Sequence, residues 1–403
     1  MTKEIRKSKL ETGDPILPIE NRHSEIDNSG SAVLELDALC LTLGRFTLGP
    51  VSLRFVPGDY FLLMGPSGCG KTTLLKTLAG VHRPDSGELR IGGTVANHLS
   101  PQRRGIGYVA QHALLFPHLS VHGNIAYGLQ YRPEWHNAER ERRFKRAVEI
   151  TGVGTLLDRR PATLSGGESR RVALARSLAV APRVLLLDEP LGMLDASGRD
   201  ELLAALRRAH EETAAVTIHV THHADEAWAL RGRCGLMRDG RLEQTGDIGE
   251  LVRRPQTRFV AEFFGGRNLI PARFTQHAGS WTADLGWARL QLTVAPPANA
   301  ALVQLRPETL QLLPEMEMAN SPAKMVSDSP SFENRKSKIE NSMAWPGMVK
   351  SAIDRGTFIE LTVGLDAGPE LSVHELARHH PPATGSRVRV SPTAPPAALA
   401  EKG

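Results

Sequence analysis

The sequence predicts an α/β domain with a largely parallel sheet, followed by a small all-β domain. Strand-like runs at 60–64, 184–187 and 216–220 alternate with helical segments at 71–78, 170–179 and 200–213. That order builds parallel sheets with crossover helices. A glycine-rich phosphate-binding pattern stands between the first strand and the first helix. After Gly265-Gly266 the period changes to two. Ala288, Leu290, Leu292 and Val294 alternate with Arg289, Gln291 and Thr293, and Ile359, Leu361, Val363 and Val388, Val390 keep the same spacing. Short alternating strands separated by Gly and Pro indicate a small barrel or sandwich.

At 403 residues, 41% hydrophobic and 23% charged, the chain has a globular composition and is long enough for two domains. No apolar run approaches the roughly 20 residues of a membrane-spanning helix. Residues 1–10 lack the apolar core of a secretory signal, so any membrane role is expected through a partner. A net charge of +5, with both signs interspersed, argues against nucleic-acid binding. Cys40, Cys69 and Cys234 are odd in number and far apart. They suit neither a disulfide framework nor a metal knuckle, as expected of a reducing cytoplasm. Residues 1–31 read as a disordered tail. Its Glu4-Ile5-Arg6-Lys7-Ser8-Lys9-Leu10-Glu11 recurs as Glu333-Asn334-Arg335-Lys336-Ser337-Lys338-Ile339-Glu340, inside a polar stretch at about 314–343 that reads as a disordered insert. The expected domains are 32–265, with a helical lobe at about 112–180, and 266–403.

Gly65-Pro66-Ser67-Gly68-Cys69-Gly70-Lys71-Thr72 follows a strand and opens a helix, the context in which a phosphate-binding loop works. Its glycines allow successive N–H groups to point at phosphates, and the helix start adds partial positive charge. Lys71 is expected to reach the β- and γ-phosphates and the Thr72 hydroxyl to hold Mg²⁺. Cys69 is read as a passive filler. The apolar run Val184-Leu185-Leu186-Leu187 ends in Asp188-Glu189-Pro190. A buried parallel strand of that kind delivers carboxylates to the carboxyl edge of the sheet. Asp188 is the expected Mg²⁺ partner, and Glu189 the group that orients or deprotonates the attacking water.

Leu164-Ser165-Gly166-Gly167-Glu168, followed by a helix bearing Arg170, Arg171 and Arg176, resembles the signature motif of ABC ATPases. The resemblance runs from about 32 to 264. It implies an α/β P-loop NTPase fold with an inserted helical subdomain, ATP and Mg²⁺ as ligands, and ATP hydrolysis coupled to transport. It also implies a head-to-tail dimer in which Ser165, Gly166, Gly167 and Glu168 of one copy close over ATP on the Gly65–Thr73 loop of the other, Thr73 included. Gln111 matches the Q-loop glutamine that senses Mg²⁺ and the attacking water. Leu194-Asp195 matches the end of the D-loop, with Gly192-Met193 replacing the usual small pair. His222 matches the switch histidine by register, although His223 stands where Asp is common, and His219 reads as a packed strand residue. Phe46 is the candidate adenine-stacking aromatic.

The stretch 103–128 resembles binding-protein-dependent importers, whose helical lobe receives a membrane subunit; Pro117 and His118 are the expected docking edge. Leu305-Arg306-Pro307-Glu308 and residues 385–390 resemble the small TOBE-like, OB-like barrel of importer ATPases. Residues 260–264, Arg267-Asn268-Leu269 and Leu43-Gly44-Arg45-Phe46 are similar to the molybdate/tungstate subgroup. Iron(III), sulfate, sugar and polyamine are the alternative cargoes. The implied partners are a second copy, membrane permease subunits and, indirectly, a substrate-binding protein, with the chain peripheral on the cytoplasmic face of the inner membrane. A soluble ABC ATPase of repair or translation would carry a sustained coiled coil or a second cassette, and neither occurs. An oligonucleotide-binding barrel would present clustered aromatics and basic residues, whereas Trp281, Trp287 and Phe358 are scattered.

Overall fold

The computed structural model describes residues 32–277, 280–296, 300–314, 344–355, 357–376, 382–394 and 396–400. The expected tail at 1–31, the expected insert from 315 to 343 and both copies of the polar repeat lie outside the described residues. The chain divides into two units, Met1–Ile248 and Gly249–Gly403.

In the first unit, β1 (Leu34–Leu43) and β2 (Phe46–Phe55) form a hairpin, and β3 (Tyr60–Met64) leads through the glycine-rich loop into α1 (Lys71–Ala79). Next come β4 (Ser86–Ile91), β5 (Thr94–Val95) and β6 (Ile106–Val109). A helical lobe of α2 (Val121–Ala126), α3 (Asn137–Thr151) and α4 (Gly166–Ala179) is followed by β7 (Val184–Asp188). The unit closes with α5 (Ala196–Glu212), β8 (Val216–Val220), α6 (Ala224–Leu230), β9 (Arg233–Arg238) and β10 (Arg241–Asp247). Strands β2-β1-β4-β5 make an antiparallel sheet, and β10-β9-β3-β8-β7-β6 make a second sheet that is parallel from β9 to β6.

Both faces of the parallel sheet are covered, which explains the unbroken apolar run of β7. Val184 and Leu186 pack with Leu74, Leu75 and Leu78 of α1 and with the antiparallel sheet. Leu185 and Leu187 pack with the helical lobe, against Val172 and Leu174 of α4 and Leu202 of α5. Alternation would have left one face wet; two covered faces demand apolar residues throughout. Each leucine so buried stabilises the fold by about 1.5–3 kcal/mol.

The helix that presents Lys71 is tied down at its far end. Gly80 caps α1 at φ 86°, and a Cβ there would stand 2.7 Å from Nε of Arg104. Arg104 is almost wholly buried. Its guanidinium donates to the carbonyls of Thr77 (2.7 Å) and Leu78 (2.8 Å) on α1, and of Leu99 (3.0 Å) and Asn97 (3.3 Å) beyond it. A cation at a helix C-terminus that also satisfies orphan carbonyls is stabilising on both counts. Arg104→Ala is expected to destabilise the chain by about 3 kcal/mol in denaturant unfolding, since buried carbonyls lose charged donors. A loss below about 1 kcal/mol would refute this role for Arg104.

The second unit begins at 249, not at the expected 266. It takes in all but the first residue of α7 (Ile248–Arg253) and the whole of α8 (Arg258–Phe263). The reason is burial: Ala261 of α8 packs with Leu302 and Leu399, and the Gly266 N–H donates to the Ala261 carbonyl at 2.8 Å. The rest is antiparallel β in three sheets. In chain order the strands are β11 (Leu269–Pro271), β12 (Arg273–His277), β13 (Ser280–Asp284), β14 (Arg289–Leu292), β15 (Ala300–Gln304), β16 (Leu310–Pro314), β17 (Trp345–Asp354), β18 (Phe358–Leu365), β19 (Glu370–Leu376), β20 (Arg387–Pro392) and β21 (Ala397–Ala400). The alternation read from sequence is met in β14, β18 and β20, whose Leu290, Leu361, Val363, Val388 and Val390 enter one core. Among the described residues no helix is long and apolar enough to cross a membrane.

Candidate active site

The parallel strands run in the order β3-β8-β7-β6, so their carboxyl ends line up four segments side by side. These are the glycine-rich loop after β3, His222 after β8, Asp188-Glu189 at the end of β7, and Gln111 after β6. Sheets of this kind gather ligands at the carboxyl edge.

The loop is built as its residues require. Gly65, Gly68 and Gly70 all have positive φ. A Cβ on Gly65 would strike the Met237 carbonyl oxygen at 2.3 Å, and one on Gly70 would strike the Phe46 ring at 2.6 Å. Pro66, Ser67 and Gly68 face solvent, while Cys69 is buried in the core beneath. Burial pushes the Cys69 thiol up, Lys71 opposing only in part, which keeps it a protonated filler. Lys71 is buried, and its Nζ donates to the carbonyls of Gly65 (2.8 Å) and Pro66 (2.9 Å). The ammonium is thereby held over the loop. Thr72 and Thr73 sit half-buried in the first turn of α1. Phe46, at the start of β2, lies against Gly70 and so borders the loop.

Asp188 and Glu189 are split by the backbone between them. Glu189 takes φ 47°, a left-handed conformation that costs about 1–3 kcal/mol in a residue with a Cβ. The turn is held by its N–H donating to the Val220 carbonyl at 3.0 Å and by Gly192 N–H donating back to Glu189 at 3.2 Å. The two carboxylates therefore serve different neighbours. Asp188, buried, accepts from the Thr72 hydroxyl (2.9 Å) and the Tyr108 hydroxyl (3.0 Å). Glu189 has Gln111 Nε2 at 3.5 Å and His222 Nδ1 at 3.4 Å. Burial, with the Asp188 charge beside it, pushes the Tyr108 phenol well up, so it remains a donor.

The oxygens of Thr72 and Asp188 are hard donors, 2.9 Å apart. They form a partial set of the kind magnesium uses when phosphates and water complete its shell. Among the described residues no group of three or more His, Cys, Asp or Glu assembles into a protein-only metal cage. The donor set thus fits Mg²⁺ carried with a nucleotide.

His222 is half-exposed and faces Glu189, whereas the His223 ring lies 3.9 Å from it between centroids, tilted by 41°, at the N-cap position of α6. His219 is fully buried. Its Nδ1 meets the Tyr60 hydroxyl at 2.9 Å and its Nε2 meets Glu226 at 3.2 Å.

The signature residues open α4. Ser165 is the N-cap, accepting from the Glu168 N–H at 3.2 Å, while the Glu168 carboxylate accepts from the Ser165 N–H at 2.7 Å. This reciprocal cap also takes in Arg159, 3.0 Å from Glu168. The Ser165 N–H above all, then Arg159, outweighs what burial there is and holds the Glu168 carboxyl below its ordinary value. Gly167 packs on Gly198 of α5, a Cβ on it standing 3.1 Å from the Gly198 Cα. Asp195 caps α5 by accepting from Gly198 N–H at 3.3 Å. Among the described residues no side-chain hydrogen bond or ion pair joins Ser165 to Lys71.

Two participants carry no motif signal. Tyr108 reads in sequence as one more strand residue. Arg170 reads as part of a basic helix face, yet it is buried and donates to the carbonyls of Gln111 (3.3 Å) and Gly192, so that α4 holds both the Q-loop and the D-loop. Only the tertiary placement distinguishes either.

The fold and this loop define a P-loop nucleotide hydrolase. Residues 48–192 match the family described as ABC transporter, and residues 303–399 match the TOBE domain. A sulfate/thiosulfate import ATP-binding protein of Chromobacterium violaceum is 41% identical over 283 residues, covering 70% of this chain and 76% of its own. A molybdate/tungstate import ATP-binding protein of Thermococcus kodakarensis is 42% identical over 238 residues, 59% and 72% of the two chains. A putative 2-aminoethylphosphonate import ATP-binding protein of Salmonella typhimurium is 38% identical over 300 residues, 73% and 81%. Among solved structures, cbiO1 of Clostridium perfringens, part of an ABC transporter complex, aligns with TM-score 0.50 and 27% identity over 55% of this chain and 90% of its own. The chain belongs to the ABC transporter family, as an importer-type ATP-binding subunit with a C-terminal TOBE domain, and it is an ATPase.

Proposed function

We propose that this ATPase powers uptake of a tetrahedral oxyanion, with Glu189 as the base of the hydrolytic step. The observation that supports it most is the meeting of Glu189 with Gln111 and His222, beside the Thr72–Asp188 pair, at one sheet edge. Lys71 and the loop N–H groups hold the phosphates, and Phe46 borders the base. Thr72 and Asp188, with Gln111 as a further donor, would hold magnesium, which would neutralise phosphate charge. Glu189 accepts the proton of the attacking water as its oxygen bonds to the γ-phosphorus, and the bond to the β-phosphate oxygen breaks to leave ADP. In this reading His222 donates to the γ-phosphate oxygens.

Ser165, Gly166 and Gly167 open a separate helix start with anion-binding geometry. We assign them to the ATP of a second copy, the two copies lying head to tail with Asp195 near their junction. The edge at Pro117 and His118 is exposed, as is Leu114 next to it at φ 44°. Phe116 is braced there by Tyr127 at 4.4 Å and by Arg176 at 5.2 Å. Such a mixed apolar and polar edge suits a short helix of a membrane permease; we assign the chain to the cytoplasmic face of the membrane, linked indirectly to a substrate-binding protein.

The three curated relatives import sulfate or thiosulfate, molybdate or tungstate, and a phosphonate, all tetrahedral oxyanions by chemistry. Molybdate or tungstate, favoured by the 260–269 segment, therefore stands beside sulfate and phosphonate as the cargo. Cells lacking the gene are expected to lose uptake of one of these anions, measured by elemental analysis, and to recover it with the wild-type gene but not with Glu189→Gln. Unchanged content of all of them would overturn the oxyanion assignment.

A further inference from the structure

Between β8 and α6 only residues 221–223 carry His222 across, and the His222 ring itself is half-exposed. Something other than its own packing must keep it 3.4 Å from Glu189. Glu226, in the first turn of α6, is 3% exposed and reaches three places at once. Its Oε2 stands 3.2 Å from Nε2 of His219, in the strand before the loop. It is also hydrogen-bonded to the Thr221 side chain, whose Oγ1 in turn accepts from the His223 N–H at 3.0 Å. Its Oε1 accepts from Arg199 Nη2 at 3.3 Å, one turn into α5, the helix capped by Asp195. On its other side, His219 Nδ1 stands 2.9 Å from the Tyr60 hydroxyl of β3.

We propose that Glu226 is a positioning residue of ATP hydrolysis, its buried carboxylate clamping the loop that holds His222 and tying that loop to the D-loop helix α5. Burial would push this carboxyl up, but His219, Thr221 and Arg199 together outweigh it and hold it below its ordinary value, so it stays ionised. A buried anion with three partners on separate elements is rigid in a way an apolar contact is not, because each partner fixes a direction. The same clamp gives α5 a direct hold on the switch loop, so that movement of the D-loop would be felt at His222.

The inference rests on the reading of Glu189 and His222 as the hydrolytic pair, and the test separates the two. Steady-state ATPase rates and amide hydrogen exchange are measured for Glu226→Gln, Glu226→Ala, Arg199→Ala and His222→Ala in the full chain. The Glu226 variants are expected to lose about ten-fold or more in kcat with KM for ATP unchanged, since displacement of a positioned group acts on the chemical step. Exchange is expected to rise in residues 221–226 and not in α1, where a general loss of stability would raise both. Arg199 is partly exposed, so Arg199→Ala keeps the test open if the Glu226 variants fold poorly, with about a three-fold loss of kcat expected. His222→Ala at full rate would overturn the reading of the site and the clamp with it. A dead His222→Ala beside full-rate Glu226 and Arg199 variants would overturn the clamp alone, as would exchange raised equally throughout the chain.

Discussion

Glu189→Gln is expected to lower ATP turnover by roughly 10²–10⁴-fold, the usual contribution of a general base, while leaving nucleotide binding intact. The amide is isosteric, so the left-handed turn at Glu189 and its backbone bonds to Val220 and Gly192 are undisturbed. Asp188, which faces Thr72 and Tyr108, keeps its own partners. What is lost is the proton acceptor between Gln111 and His222. Phosphate release measures the first effect and a fluorescent nucleotide the second. ATP held without hydrolysis should also leave the two-copy state populated, visible in size-exclusion chromatography with ATP and magnesium. Undiminished phosphate release would refute Glu189 as the base and direct attention to His222.

The second large effect concerns the sharing of sites between copies. Lys71→Ala removes the buried ammonium over the loop; charged hydrogen bonds of this kind contribute about 1.5–3 kcal/mol each, so ATP affinity should fall about ten-fold or more, and turnover further. Ser165→Arg removes the α4 cap, at a cost of about 1 kcal/mol, and puts bulk and charge at the helix start where we place the second copy's ATP. Each variant alone is expected to be inactive. Mixed together, they should recover up to about a quarter of the wild-type rate. Random pairing makes about half the dimers mixed, and each mixed dimer holds one intact site of two. A mixture no more active than its parts would overturn the head-to-tail assignment, and a wild-type rate in either variant alone would overturn that residue's role.

Much of the site was legible because its chemistry is local. The strand, the glycine-rich turn and the helix that presents Lys71 are contiguous, and Gly65 and Gly70 are needed where the backbone presses on Met237 and Phe46. The signature run Leu164–Glu168 is likewise contiguous, and the structure adds the reciprocal cap between Ser165 and Glu168. The apolar run into Asp188 announced a strand covered on both faces, and it is one. In the second unit, period-two alternation was enough to find β14, β18 and β20, but not to assign the α7–α8 segment. Short helices preceding a β domain carry no sign of which core they will join, and Ala261 joins that of Leu302 and Leu399.

By itself, then, the sequence determined a phosphate-binding loop, an acidic strand end, a signature helix and membership of the family to which these belong. Each depends on residues a few positions apart, whose backbone geometry is settled locally. Tertiary structure alone decided that Tyr108 shares Asp188 with Thr72, that Arg170 spans the Gln111 and Gly192 loops, and that Glu226 gathers His219, Thr221 and Arg199. Those contacts join residues from separate strands and helices. They exist because the strand order β3-β8-β7-β6 sets the carboxyl ends side by side, an arrangement that comes from packing both faces of the sheet and leaves no mark in the spacing of any one segment.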